Sequence, residues 1–193
     1  MKVEKLDTCI NVYKEVFTKE SASAFIEKLE KEIESDWSEL EWQNSGVGSG
    51  QITQIRTSLG CSLITLFKPY QPNEVSEFFH DNIFSKIQEV VLDYIHENML
   101  PNGIHEPYSV LKYYENAEYH AHHDHSRDNR RVFSVVANLA SPDSGGELEF
   151  PRMGASIKPE VGSVVIFPSN FPYLHIAHPV ESGVKYSLVS WYS

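Results

Sequence analysis

Tyr119-His120-Ala121-His122-His123-Asp124-His125 is the stretch on which the reading of this chain turns. Four of the nine histidines of the protein fall within its last six residues. As an extended strand, the segment alternates its side chains between two faces. His120, His122 and Asp124 then share one face, and Tyr119, Ala121, His123 and His125 share the other. A His-x-Asp pair on one face sets an imidazole beside a carboxylate, and together they can fill two adjacent positions on a metal ion. A third ligand must come from elsewhere, and His175 and His178 are the candidates.

Working outward, the chain around this strand reads as short strands. Runs rich in Val, Ile, Tyr and Phe at 109–114, 119–124, 132–139, 147–150, 163–167 and 186–191 are separated by Gly, Pro, Ser and Asn clusters. Short, evenly punctuated strands point to a sandwich or barrel. The first hundred residues differ in texture. Residues 18–34 place Phe25, Leu29 and Ile33 on one helical stripe, and residues 72–98 repeat the pattern with Phe79, Ile83, Ile87, Val90, Val91, Tyr94 and Ile95. Pro72-Asn73 stands where that second helix would begin. Residues 51–67 read as one or two strands, and 46–50 as a glycine-rich loop placed to cover a site. No internal repeat is visible. The expectation is one domain over 1–193, in which 1–107 supply mainly helical support plus strands and 108–193 form the catalytic core.

Composition narrows the function. The chain has 193 residues, 41% of them hydrophobic and 12% aromatic, which suits a packed domain rather than a disordered one. A formal charge of -11 excludes a broad basic surface for nucleic acid. No run nears the roughly 18 apolar residues that span a bilayer. The mixed charges of Met1-Lys2-Val3-Glu4-Lys5-Leu6-Asp7 do not form a secretory signal, so a cytoplasmic protein is expected. Cys9 and Cys61 offer neither a disulfide framework nor a zinc spacing.

Two imidazoles and one carboxylate on one face of an octahedron leave three positions open, which suits non-haem Fe(II) chemistry with a cosubstrate and O2. A structural zinc site would be closed by four ligands instead. The order of further motifs gives this reading its context. After Tyr114 and the strand ending in His122-His123-Asp124 come Arg131-Val132-Phe133-Ser134 and Gly145-Gly146-Glu147-Leu148-Glu149-Phe150-Pro151. Then follow Pro159-Glu160-Val161-Gly162, Val164-Val165-Ile166-Phe167, and His175 ahead of Pro179-Val180, Gly183 and Lys185-Tyr186-Ser187-Leu188-Val189-Ser190-Trp191.

From Tyr114 to Trp191 the chain resembles the prolyl 4-hydroxylase-like family of Fe(II)- and 2-oxoglutarate-dependent dioxygenases. The resemblance implies an α+β fold: a double-stranded β-helix, or jelly roll, packed against N-terminal helices. It implies His122, Asp124 and His175 as metal ligands, because the family's distal histidine stands four residues before Pro179-Val180. It implies Lys185, ten positions after His175, as the partner of the far carboxylate of 2-oxoglutarate. Ser187 lies two residues on, hence on the same strand face, and can add a hydroxyl donor. Tyr114 resembles a tyrosine that also contacts the cosubstrate, with Tyr113 as the fallback, while Arg131 and Trp191 resemble substrate contacts. The segment from Tyr114 to His122 is one residue shorter than the family pattern, and Asn138 stands where tyrosine is frequent.

The reaction implied is hydroxylation of a C–H bond with release of succinate and CO2, using Fe(II), 2-oxoglutarate and O2, with ascorbate a candidate reductant. The substrate expected is a peptidyl proline, with a free amino acid or another small molecule as alternatives. No nucleic-acid or membrane partner is expected. A rival reading is a cupin-like metal protein without 2-oxoglutarate chemistry, holding its ion with His120, His122 and His175.

Overall fold

The computed structural model describes residues 2–46, 54–64 and 73–193. Most of the loop expected at 46–50, both ends of the stretch 51–67, and Pro72 lie outside the described residues.

Fourteen strands are described: β1 Lys2–Lys5, β2 Asn11–Lys14, β3 Gln43–Asn44, β4 Leu59–Ser62, β5 Ser109–Tyr113, β6 Tyr119–His122, β7 Phe133–Ala140, β8 Ser144–Gly145, β9 Leu148–Phe150, β10 Ala155–Ile157, β11 Val164–Pro168, β12 His175–Ala177, β13 Val180–Ser182 and β14 Lys185–Tyr192. They form an eight-stranded major sheet in the order β1-β2-β11-β7-β14-β5-β4-β3, a four-stranded minor sheet in the order β10-β9-β12-β6, and the pair β13-β8. This is the double-stranded β-helix. Four strands of the major sheet come from the first 107 residues, so the N-terminal part completes the sheet as well as covering it.

Helix α1 (Lys19–Ile33) starts where the Thr18 side chain accepts from the Ser21 amide. Helix α2 (Glu74–Phe79) starts at a capping box made by Asn73 and Ser76. The single helix expected over 72–98 is divided by a π-helical turn, His80–Phe84, before α3 (Ser85–Glu97). Phe25, Leu29, Phe79, Ile83, Ile87, Val90 and Tyr94 bury their side chains against Val110, Val135, Ala137, Val164 and Leu188 of the major sheet.

The opposite face of that sheet turns toward the minor sheet. Alternation along β14 divides the two: Tyr186, Leu188 and Tyr192 pack with the helices, while Lys185, Ser187, Val189 and Trp191 line a pocket between the sheets. Strand β7 behaves likewise, with Val135, Ala137 and Leu139 toward the helices and Val136 and Asn138 toward the pocket.

Candidate active site

The pocket between the sheets encloses about 660 Å³ of space, open solvent at its mouth included. His122 ends β6 and His175 opens β12, and the two residues are direct partners in the antiparallel register. Cross-strand pairing is therefore what brings together histidines that lie far apart in sequence. Asp124 follows just past the end of β6. Its Oδ1 lies 3.6 Å from His122 Nε2, and its Oδ2 lies 3.6 Å from His175 Nε2. One donor atom from each of the three falls within 4.8 Å of the others.

The surroundings leave these atoms ready for a metal. His122 Nδ1 lies 2.8 Å from the His120 carbonyl oxygen, and His175 Nδ1 lies 3.1 Å from that of Tyr173. A carbonyl only accepts, so Nδ1 carries a proton, and in the neutral tautomer this sets Nε2 as the ligating nitrogen. Burial pulls the His175 pKa down to about 4, against the attraction of Asp124, so the imidazole is neutral at physiological pH. Burial of Asp124 favours its protonated form, but His175, His122 and the Ser134 hydroxyl outweigh it and hold the carboxyl well below its usual range. Ser134 Oγ donates to Asp124 Oδ2 at 2.6 Å and is itself in contact with Ser169 Oγ at 2.8 Å. Two imidazole nitrogens and one carboxylate on a shared pocket wall fit a divalent ion with open positions.

At the far end stands Lys185, which is 4% exposed. Its Nζ donates to the Gly146 carbonyl at 2.8 Å and sits 4.3 Å from the centre of the Tyr113 ring. Among the described residues no carboxylate lies within ion-pair distance of it. Burial pulls its pKa down to about 8, with Glu147 acting in the opposite sense. A buried lysine without a protein anion is costly, and an anionic ligand would relieve it. Ser187 is buried and lines the same pocket.

Three expectations need correcting. Tyr114 does not reach the pocket: it is 47% exposed, and its ring lies 5.1 Å from Lys112 Nζ on the α1 side of β5. Tyr113, buried and pocket-lining, takes the place, because alternation along β5 puts Leu111 and Tyr113 inward. His120 does not share the metal face. It is exposed, with Nε2 3.2 Å from Glu118 Oε1, because a bulge sets three steps of β6 (Tyr119 to His122) against two of β12 (His175 to Ala177) and reverses the alternation. This also removes His120 from a closed three-histidine site. Arg131 does not line the pocket. Its Nε and Nη2 each donate at 2.6 Å to Glu106, and its guanidinium stacks 3.7 Å from the Trp191 ring, so it backs the one expected substrate contact, Trp191, that does line the wall.

His178 pairs with Glu149 at 2.5 Å and stays outside. Sequence reasoning missed Ser134 as the partner of Asp124, and it missed Arg56, which enters the pocket wall from the segment before β4. Nothing in the sequence near Arg56 marked it, since the ring it lies against, Tyr119, belongs to β6.

Comparison with known proteins places this architecture. Residues 108–193 match the 2OG-Fe(II) oxygenase superfamily. Prolyl 4-hydroxylase 2 of Arabidopsis thaliana is 26% identical over 180 residues, covering 75% of this chain and 54% of that protein. The chain spans between 42% and 54% of the length of the curated relatives it matches. Among solved structures, the viral collagen prolyl hydroxylase of Paramecium Bursaria Chlorella virus-1, in its 2OG complex, superposes with a TM-score of 0.67 at 20% identity, covering 95% of this chain and 94% of that one. A Trichoplax adhaerens prolyl hydroxylase, bound to a peptide from the hypoxia inducible factor oxygen degradation domain, superposes with a TM-score of 0.72 at 16% identity, covering 96% and 83%. Residues 108–193 thus match the 2OG-Fe(II) oxygenase superfamily, and the chain is similar to prolyl 4-hydroxylases in sequence and in fold. The superfamily's cofactor set is Fe(II), 2-oxoglutarate and O2.

Proposed function

We propose that this protein hydroxylates a proline ring in a peptide, with Fe(II) held by His122, Asp124 and His175. The observation that carries the reading is one pocket holding both a His-Asp-His cluster and a buried lysine without a protein anion. The names of its relatives supply the choice of proline. Bound iron, with 2-oxoglutarate and O2, supplies the oxidising power for C–H hydroxylation coupled to decarboxylation to succinate and CO2.

The chain's own residues supply position. His122 and His175 are held in their ligating tautomers by backbone carbonyls, and Asp124 is oriented by Ser134. Lys185 pairs with the far carboxylate of 2-oxoglutarate, a charge-assisted bond that gains strength away from water. Ser187 adds a hydroxyl, and Tyr113 closes the wall beside the lysine. Trp191, backed by Arg131, forms the side where substrate enters. Val136, Leu148 and Ile157 keep the floor apolar and exclude water.

Ascorbate as reductant, a cytoplasmic location and the working of 1–193 as one catalytic unit are parts of the same proposal. Cys9 and Cys61 are free thiols, as a reducing compartment allows. No helix among the described residues is long and apolar enough to cross a membrane.

The test combines metal analysis, succinate release and mass spectrometry of the organic product. Proline-rich peptides and free amino acids are offered in parallel. A gain of one oxygen on peptidyl proline, dependent on Fe(II) and 2-oxoglutarate, is the expected result. Turnover on free amino acids alone rejects the peptide assignment, and full iron binding by His175→Ala rejects the ligand set.

A further inference from the structure

Arg56 stands where two cavities meet. The metal pocket and a second, polar groove share three lining residues: Arg56, Leu111 and Trp191. Gln43, Asn44, Ser45 and Ser62 at the β3–β4 end of the major sheet, with Ser109 of β5, supply polar wall to the groove. Arg56 is fixed in place. Its guanidinium lies 4.7 Å from the centre of the Tyr119 ring, and that ring stacks on His122 at 3.5 Å. Its Nη1 donates to the Gly46 carbonyl at 2.9 Å.

What it lacks is an anion. Its Nε is buried and has no hydrogen-bond partner among the described residues. No carboxylate lies within ion-pair distance among the described residues, and the sequence of the remaining ones (residues 1, 47–53 and 65–72) contains no Asp or Glu. Of the residues lining the two cavities, Asp124 is the one acid, and it belongs to the metal cluster. A chain with net charge -11 thus holds an uncompensated cation at the junction of groove and pocket. An orphaned buried donor is costly, and a guanidinium is best satisfied by a planar carboxylate.

We infer that Arg56 reads a carboxylate on the substrate, so that the preferred peptide carries an acidic residue flanking the proline that enters the pocket. The inference rests on the proposed function and narrows it to acidic proline peptides. Through the Tyr119 ring, which the cation contacts and which stacks on His122, Arg56 is tied to the metal end of the pocket.

Peptide pairs that differ only by Glu or Gln at each position flanking a single proline test it. Binding is read without O2, and turnover by hydroxyproline and succinate. At one flanking position the Glu peptide should bind about tenfold more tightly than its Gln twin, the usual worth of a hydrogen bond to a charged group. Arg56→Gln should bring that ratio near one, and Arg56→Glu should invert it toward a Lys peptide, which loss of packing alone would not do. Equal binding of wild type to both twins at every position overturns the inference with no variant needed. Equal turnover of both twins overturns it while leaving prolyl hydroxylation intact. Glu-selective binding lost in Arg56→Gln but without hydroxyproline keeps the anion site and rejects the reaction. A raised 2-oxoglutarate requirement with an unchanged peptide ratio would reassign Arg56 to the cosubstrate.

Discussion

Lys185 is a cation carried into the space between two sheets, where its Nζ meets the Gly146 carbonyl and the Tyr113 ring. Its replacement by alanine should weaken 2-oxoglutarate binding by about 2–5 kcal/mol, the range for losing half of a buried charge pair. The same residue sets a pH dependence. Its pKa in the free protein is about 8, so it is protonated below that value and neutral above it. Affinity for 2-oxoglutarate should therefore hold below pH 8 and fall as pH rises through it, and a flat titration by calorimetry would remove Lys185 from the site. For folding the sign is opposite. The unfolded lysine titrates near 10.5, so between about 8 and 10.5 the unfolded chain binds more protons and rising pH favours the folded state. Tyr113 and Tyr114 offer a sharper contrast. Tyr113→Phe should raise the KM for 2-oxoglutarate several-fold, whereas Tyr114→Phe, at an exposed ring, should leave it unchanged. Equal effects in the two would mean that the pocket does not distinguish them.

At the scale of elements, the lysine is aimed by the turn before β9. Gly145 and Gly146 both have positive φ, 75° and 74°, and Gly146 supplies the carbonyl that Lys185 bonds. A Cβ on Gly146 would lie 3.3 Å from Lys185 Cδ. Gly146→Ala should cost about 1–3 kcal/mol of stability from the backbone alone, read by a urea melt. It should also weaken 2-oxoglutarate binding, because the strained turn moves the carbonyl partner. A normal affinity in a destabilised variant would show that the turn serves folding only. The bulge in β6 is the second such device. It frees His120 from the metal face and turns Tyr119 to stack on His122.

At the scale of the molecule, the helices and the pocket occupy opposite faces of one sheet. Phe79 is fully buried, with its ring 5.1 Å from that of Phe25, and lies in the layer away from the metal cluster. Phe79→Ala should cost about 3–5 kcal/mol, as truncation of a buried aromatic does. Metal and 2-oxoglutarate affinities measured below the new melting transition should match those of the wild type. A parallel loss of metal affinity in the folded variant would mean that the two faces are coupled through the sheet.

The sequence by itself pointed to residues that the fold gathers in one pocket. Strand alternation set His122 beside Asp124 and Ser187 beside Lys185, while His175 and Lys185 were implied by the order of motifs in the family resemblance. The sequence also determined the two amphipathic helices and most strands after residue 108. What it could not determine depends on contacts between distant segments. β1 and β2 join the sheet through β11, a pairing that no local pattern announces. The bulge that turns His120 outward exists only in the register of β6 against β12. Tyr113 rather than Tyr114 faces inward because β5 is held between β14 and β4, and counting from Tyr113 restores the residue by which the segment to His122 had looked short. Arg56 became visible as part of the site only when the fold laid it on Tyr119. Alternation fixes which residues can share a face, but the neighbouring strand decides which face that is.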